Sequence, residues 1–205
     1  MELRFDFEKS LQAAAYLLQL EEGRMPYLRL LKLMYIAERE LLAQTATPLT
    51  GDIYKATEHG PVLSHVFDLI RGKGSRSAEW EGFIQRSGYA VKLVVGPGRG
   101  RLSGDVIDKL AEVSERYWER GHWELRDLTH EFPEWAKNVP AAGSGLIPLK
   151  DILEAQGESQ ETLELIKDGE AVRQHMSKIF GPRRQGSRRS PSSPFNEGRG
   201  HLPTR

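Results

Sequence analysis

The chain has 205 residues, with 29 basic and 29 acidic side chains and a formal net charge of zero. This length suits one domain of ordinary size with appendages. It contains no cysteine, which excludes disulfides and thiolate metal sites. Residues 1–10 lack the apolar run of a signal peptide, and no window approaches the roughly 18 apolar residues of a membrane span. We therefore expect a soluble, cytoplasmic protein without a membrane partner.

The zero net charge hides an uneven distribution. Residues 181–205 hold six arginines and one acid, Glu197, so the first 180 residues carry 23 basic and 28 acidic side chains. A mildly acidic body does not support a broad nucleic-acid surface. The terminal segment is rich in Gly, Pro, Ser and Arg, and we expect a disordered tail. Its arginine pairs are more typical of a solvated tail, with nucleic acid or an acidic partner as the alternatives.

The first third of the chain predicts two helices. Asp6 is an N-cap candidate for a helix that ends near Leu20, and Gly23 is its C-cap candidate. Pro26 suits the first turn of a second helix, which is apolar on two sides and therefore central to a bundle. We expect its charged residues to leave a solvated or partner-facing strip, formed by Arg29, Lys32, Glu38, Arg39 and Glu40.

Turn formers follow the second helix. Residues 47–52 break it, and residues 53–57 are predicted to be extended. Pro61 is predicted to open a third helix at its first position. Residues 83–95, with a turn at 86–88, predict a β-hairpin.

The remaining elements are mostly helical, with a small-residue loop at 141–145. Ser103 is an N-cap candidate for the longest of the middle helices. The predicted helices cover residues 104–120, 123–129, 148–155 and 159–179, and residues 133–138 are predicted to form another turn. The pattern indicates a mainly α (α+β) fold: a compact helical bundle with a small β-hairpin or short antiparallel sheet, and a disordered C-terminal tail.

Few residues suggest chemistry. His59 and His65 do not have the i, i+4 spacing of helical metal ligands, so His59 is interpreted as structural, at the start of a helix. Gly51–Asp52 is interpreted as a turn, and residues 96–101 resemble a phosphate loop only superficially. Thr129–His130 followed by Trp135 favours a helix end packed against an aromatic ring.

We therefore predict no catalytic residues, no metal and no cofactor. An enzyme that gathers Asp52, His59 and His130 into one pocket is the less favoured alternative. A binding module is the favoured class.

Two separated groups of residues, one from Lys32 to Val62 and the other containing Thr129, His130 and Trp135, together resemble the Panacea domain of the SocA-like antitoxin family. The resemblance covers roughly residues 5–155, which would form the domain, with 156–180 as a helical extension and 181–205 as the tail. The matching residues include Lys32, Tyr35, Gly51, Asp52, Tyr54, His59, Gly60, Pro61, Val62, Thr129, His130 and Trp135.

The resemblance implies an antitoxin of a bacterial or prophage type II toxin–antitoxin system. Such a protein would neutralise a cognate protein toxin, expected to be encoded by the adjacent gene, through direct contact. One branch of the family implies the alternative of an adaptor that delivers the toxin to the ClpXP protease. Because aromatic residues often anchor interfaces, the candidate contacts are Tyr54, Trp80, Tyr89 and Trp135.

Overall fold

A computed structural model describes residues 3–180, giving only the backbone for 170, 173, 174 and 177–180. The predicted disordered tail, 181–205, lies outside the described residues. The described helices are α1 (Phe7–Leu20), α2 (Tyr27–Thr45), α3 (Ser64–Ile70), α4 (Ser77–Phe83), α5 (Gly104–Arg116), α6 (His122–His130), α7 (Pro133–Asn138), α8 (Leu149–Ala155) and α9 (Gln160–Phe180). The described strands are β1 (Arg24–Pro26), β2 (Tyr54–Thr57), β3 (Gly60–Leu63), β4 (Ile84–Ser87), β5 (Ala90–Leu93) and β6 (Ser144–Leu146).

Helix α2 is the centre of the core, as predicted. It packs against α1, α3, α5, α6 and α8, and residues Leu30 to Ala37 are all buried. Helix α1 begins where its cap predicts, since the carboxylate of Asp6 accepts a hydrogen bond from the Lys9 amide at 3.0 Å. The mainly helical architecture is thus confirmed. Of the helices within 3–180, none has the length and apolar composition that crossing a bilayer requires.

Two three-stranded antiparallel sheets flank the helices. One has the order β1-β5-β4 and contains the predicted hairpin, with Ser87 paired to Ala90 around a two-residue turn. The other has the order β3-β2-β6. It covers the side of α2 that carries Lys32, because β3 packs on that helix.

The predicted helix start at Pro61 is wrong. Pro61 lies in β3, opposite Ala56 of β2, and α3 begins only at Ser64. Strand β3 is an edge strand, where a proline without an N–H need not break the ladder. Other boundaries differ as well. Helix α5 ends at Arg116, and the predicted loop at 141–145 contains the start of β6. Pro26 lies in β1 just before α2, and Phe83 ends α4 instead of beginning the hairpin.

Candidate functional site

The charged residues of α2 do not form the solvated strip that the sequence suggested. The side chains of Arg29, Lys32 and Glu38 are buried, Lys32 and Glu38 completely. Buried polar groups are retained where hydrogen bonds replace those to water. Lys32 contacts the β2–β3 hairpin, Glu38 the segment after α2, and Tyr35 and Arg39 together contact α7. These contacts assemble the family-motif residues around α2.

Lys32 fastens the β2–β3 hairpin to α2. Its amine donates a hydrogen bond to the carbonyl oxygen of Pro61 at 2.8 Å. Burial and, to a smaller extent, the nearby charge of Arg126 lower the pKa of this amine to about 7. Gly60 stands beside it with φ +90°, and a Cβ there would lie 2.7 Å from both Lys32 Nζ and Thr129 Oγ1. Only glycine lets the hairpin approach α2 and α6 this closely.

The predicted contact between a helix end and an aromatic ring is present. His130 and Trp135 stack with centroids 4.0 Å apart and an interplanar angle of 3°. The indole N–H of Trp135 donates to the carbonyl oxygen of Thr57 at 2.9 Å, which ties α7 to β2. Burial lowers the pKa of His130, and the charge of Lys32 contributes. Nε2 of His130 is buried without a hydrogen-bond partner among the described residues.

Glu38 organises the segment after α2. Its carboxylate accepts hydrogen bonds from the backbone amides of Leu49 and Thr50, at 3.1 and 2.8 Å, and from the hydroxyls of Thr50 and Tyr54, at 2.6 and 2.9 Å. Burial raises the pKa of Glu38, although the hydrogen bonds from Thr50 and Tyr54 oppose the shift. The role of Tyr54 in the fold is therefore to hold a buried carboxylate.

Tyr35 and Arg39 reach the other end of the motif. The Tyr35 hydroxyl and Arg39 Nε both donate to Oε1 of Glu134, at 3.3 and 2.6 Å, and the Arg39 guanidinium lies 4.4 Å from the ring centroid of Phe132. Burial raises the pKa of Tyr35 well above its ordinary value, and the Glu134 carboxylate adds to this. Helix α7 is thereby fixed to α2.

Asp52 caps α3. It accepts hydrogen bonds from the amides of His65 and Val66 at 2.9 and 3.0 Å, and its Oδ1 lies 2.8 Å from His65 Nδ1. This hydrogen bond raises the pKa of His65, while partial burial opposes it. Gly51 has φ +63°, and a Cβ there would overlap the carbonyl of Arg4. The turn predicted at Gly51–Asp52 is thus a junction of the N-terminal segment, β2 and α3.

The three residues of the alternative catalytic set, Asp52, His59 and His130, make separate contacts. Asp52 is bonded to α3, His130 is stacked on Trp135, and His59 is exposed at the hairpin turn beside Glu58, 3.4 Å from Nε2 to Oε1. No hydrogen bond in the described part of the chain joins them as a catalytic set. Within residues 3–180 there is also no group of three or more His, Asp or Glu side chains arranged to hold a metal ion.

The predicted interface candidates differ sharply in exposure. Tyr54 and Trp80 are buried, with 3% and 1% of their surface exposed, so neither ring is presented to a partner in this conformation. Trp135 is partly buried, and Tyr89 is 83% exposed. Sequence reasoning missed Trp118 and Trp123, which are both about half exposed. Their exposure could have been expected from the sequence, because they lie on either side of Gly121, a helix breaker between α5 and α6.

A family model described as "Antitoxin SocA-like, Panacea domain" matches residues 30–136, about half of the chain. The matched region runs from α2 into α7 and contains the contacts described above. Comparisons with curated proteins and with solved structures gave no match.

Proposed function

We propose, since the chain belongs to the SocA-like antitoxin family with its Panacea domain, that it neutralises a cognate protein toxin of a type II system by direct binding. The observation that carries this proposal is the family match over α2 to α7. The partner would be the product of the adjacent gene, met in the cytoplasm.

The arrangement of the motif residues supports a binding role. Lys32, Glu38 and Asp52 each use their hydrogen-bonding groups to fix the β2–β3 hairpin, the 47–52 segment or α3. Because these hydrogen bonds hold segments of the chain in place, they make the domain a rigid scaffold. A rigid scaffold loses less conformational entropy when it binds another protein. On this view, residues 1–155 are the binding domain, and 156–180 an extension that packs on α8 through Leu163 and Ile166.

Co-expression tests the proposal. The adjacent gene and this chain are placed under separate promoters in a bacterial host, and growth is followed with each alone and with both. We expect growth inhibition by the neighbour alone, rescue by co-expression, and a complex of the two purified proteins. Persistent inhibition with both proteins present and soluble would exclude neutralisation.

The same strains separate direct inhibition from proteolytic delivery. The half-life of the toxin is measured with and without this chain, in hosts with and without ClpXP. Direct inhibition predicts an unchanged half-life alongside full rescue. A shortened half-life that depends on ClpXP would replace direct inhibition by the adaptor mechanism.

A further inference from the structure

A groove lies between α3, α4 and the outer edge of β4. Its volume is about 360 Å³. The floor is apolar and is formed by Leu69, Ile70, Trp80 and Ile84, all buried residues of the core. A concave apolar floor of this size accommodates one or two side chains of a partner.

Within the described residues, β4 has no strand neighbour on the groove side, although the N–H of Ile84 donates a hydrogen bond to the carbonyl oxygen of Trp80. In β5, Tyr89 O accepts from Tyr27 N and Leu93 N donates to Gly23 O, so the odd-numbered residues of this stretch face β1. The even-numbered Ala90 and Lys92 therefore face β4, opposite Ser87 and Gln85. Because hydrogen-bonding direction alternates along a strand, the N–H and C=O of Arg86 point to the free edge. Such an edge is a template for an added strand.

Aromatic rings and arginines border this edge. Tyr27 stacks on Tyr89 and on Phe67, with centroids 6.3 and 6.4 Å apart. The guanidinium of Arg86 lies 4.8 Å from the ring of Tyr27, and that of Arg71 lies 4.9 Å from the ring of Phe67. Tyr and Arg are the residue types enriched among energetically important interface contacts.

The charge at the groove is positive. Of the residues that line the groove, Arg71 and Arg86 are exposed cations, and neither forms an ion pair with another described residue. Glu81 is the acid in the lining, while nearby Glu79 is paired with Arg76 at 2.6 Å. This cationic surface contrasts with the mildly acidic composition of residues 1–180.

The positive charge of the groove also determines which segments could bind in it. Residues 181–205 carry six arginines and one acid, so the chain's own terminal segment would be repelled. A second copy paired edge to edge about Arg86 would place like charges opposite each other, which is unfavourable. An acidic segment of a different protein satisfies both the cations and the open strand edge.

We propose that an extended acidic segment of the toxin binds in this groove as an additional strand beside β4. Its backbone pairs with Arg86, its carboxylates face Arg71 and Arg86, and an apolar side chain enters the floor. This inference rests on the proposed function and adds the location and the chemistry of the interface.

Affinity for the purified adjacent-gene product, in a catalytically inactive form, tests the charge requirement. Arg71→Glu and Arg86→Glu are each compared with Lys167→Glu, an equal reversal at an exposed position on α9. We expect about tenfold or greater weakening for each groove variant, and unchanged affinity for Lys167→Glu. Melting temperatures of the free proteins show that each variant is folded.

The backbone requirement has its own test. Arg86→Pro removes the outward N–H that Arg86→Ala keeps, and proline is tolerated at a strand edge. We expect Arg86→Pro to bind more weakly than Arg86→Ala, and the Arg86 amide of the wild type to gain protection from hydrogen exchange in the complex.

The possible outcomes distinguish the proposed function from the proposed binding groove. Wild type that neither rescues nor binds overturns the proposed function and this surface with it. Wild type that binds, with Arg71→Glu and Arg86→Glu binding equally well, overturns the groove alone. Weakening by Trp118→Ala or Trp123→Ala, without any effect of the groove variants, moves the interface to the α5–α6 corner. Loss of the complex on nuclease treatment replaces the protein segment by nucleic acid.

Discussion

The amine of Lys32 lies 2.8 Å from the carbonyl oxygen of Pro61, and this hydrogen bond joins the central helix to the β2–β3 hairpin. The lysine side chain has no exposed surface. A fully buried ammonium is costly, and here burial brings the pKa of the amine from its ordinary 10.5 to about 7. Lys32, which holds the β2–β3 hairpin on α2, is thus also a titrating group.

Lys32 gives stability a specific pH dependence. Between about pH 7 and 10.5 the unfolded chain binds a proton at this residue that the folded chain has released. The free energy of unfolding therefore rises with pH across this interval, by at most about 1.4 kcal/mol per pH unit from this group. Lys32→Met removes the titration, so the difference between wild type and variant should move in favour of wild type from pH 7 to 9.5. Urea unfolding of both proteins measures this, and parallel curves would contradict it.

Gly60 should be far less tolerant of substitution than Gly88. Both glycines have positive φ, +90° and +61°. A Cβ on Gly60 meets Lys32 Nζ and Thr129 Oγ1 at 2.7 Å, whereas Gly88 has open space. Gly88→Ala therefore carries only backbone strain, about 1 kcal/mol, while Gly60→Ala adds overpacking for a total of about 2–4 kcal/mol. Equal losses in urea unfolding would show that the hairpin shifts to admit the methyl group.

Local signals predicted most of the helices, missed α4, and failed where pairing partners are distant. Asp6 caps α1 through contacts within three residues, and the hairpin of β4 and β5 closes around a two-residue turn. Pro61 obeys a local rule for helix starts, yet pairing with Ala56 places it in a strand. Strand β6 forms only because it pairs with β2, which precedes it by almost ninety residues.

The sequence drew attention to residues around α2 but did not reveal the contacts that they make. The resemblance identified Lys32, Tyr35 and Asp52, but residue type alone does not reveal that they are internal fasteners. Tyr35 acts with Glu134, which is 99 residues away in the chain. Tyr54 and Trp80 were chosen as interface candidates for their aromatic rings, and burial removes both rings from the surface.

The pKa values of two histidines should be shifted in opposite directions. The hydrogen bond to Asp52 raises the pKa of His65 above its ordinary 6.5, and burial with the charge of Lys32 lowers that of His130. His65 therefore contributes stability that is fully present below pH 6.5 and is lost as the pH rises through its folded pKa. Long-range ¹H–¹⁵N spectra recorded from pH 4.5 to 8.5 resolve both rings. Coincident midpoints would contradict the assigned contacts.

The stability of the protein should be far more sensitive to Glu38→Gln than to the same substitution at an exposed glutamate. Glutamine at position 38 offers one acceptor oxygen, so its amide group would face at least one of the donors of Leu49, Thr50 and Tyr54. Leaving buried donors unpaired gives an expected loss of about 2–4 kcal/mol for Glu38→Gln. The exposed Glu112, which pairs with Arg116, is the matched control, and Glu112→Gln should cost less than about 1 kcal/mol.

Urea unfolding and limited proteolysis are measured for both Glu38→Gln and Glu112→Gln. Because Glu38 holds the segment after α2, and the Thr50 carbonyl in turn accepts from the Asp6 amide at 2.8 Å, Glu38→Gln should expose residues 46–53 to cleavage before global unfolding. Glu112→Gln should be cleaved like the wild type. Similar stability losses in both variants, with no new cleavage near Thr50, would mean that the segment is held by its apolar contacts and not by the buried carboxylate.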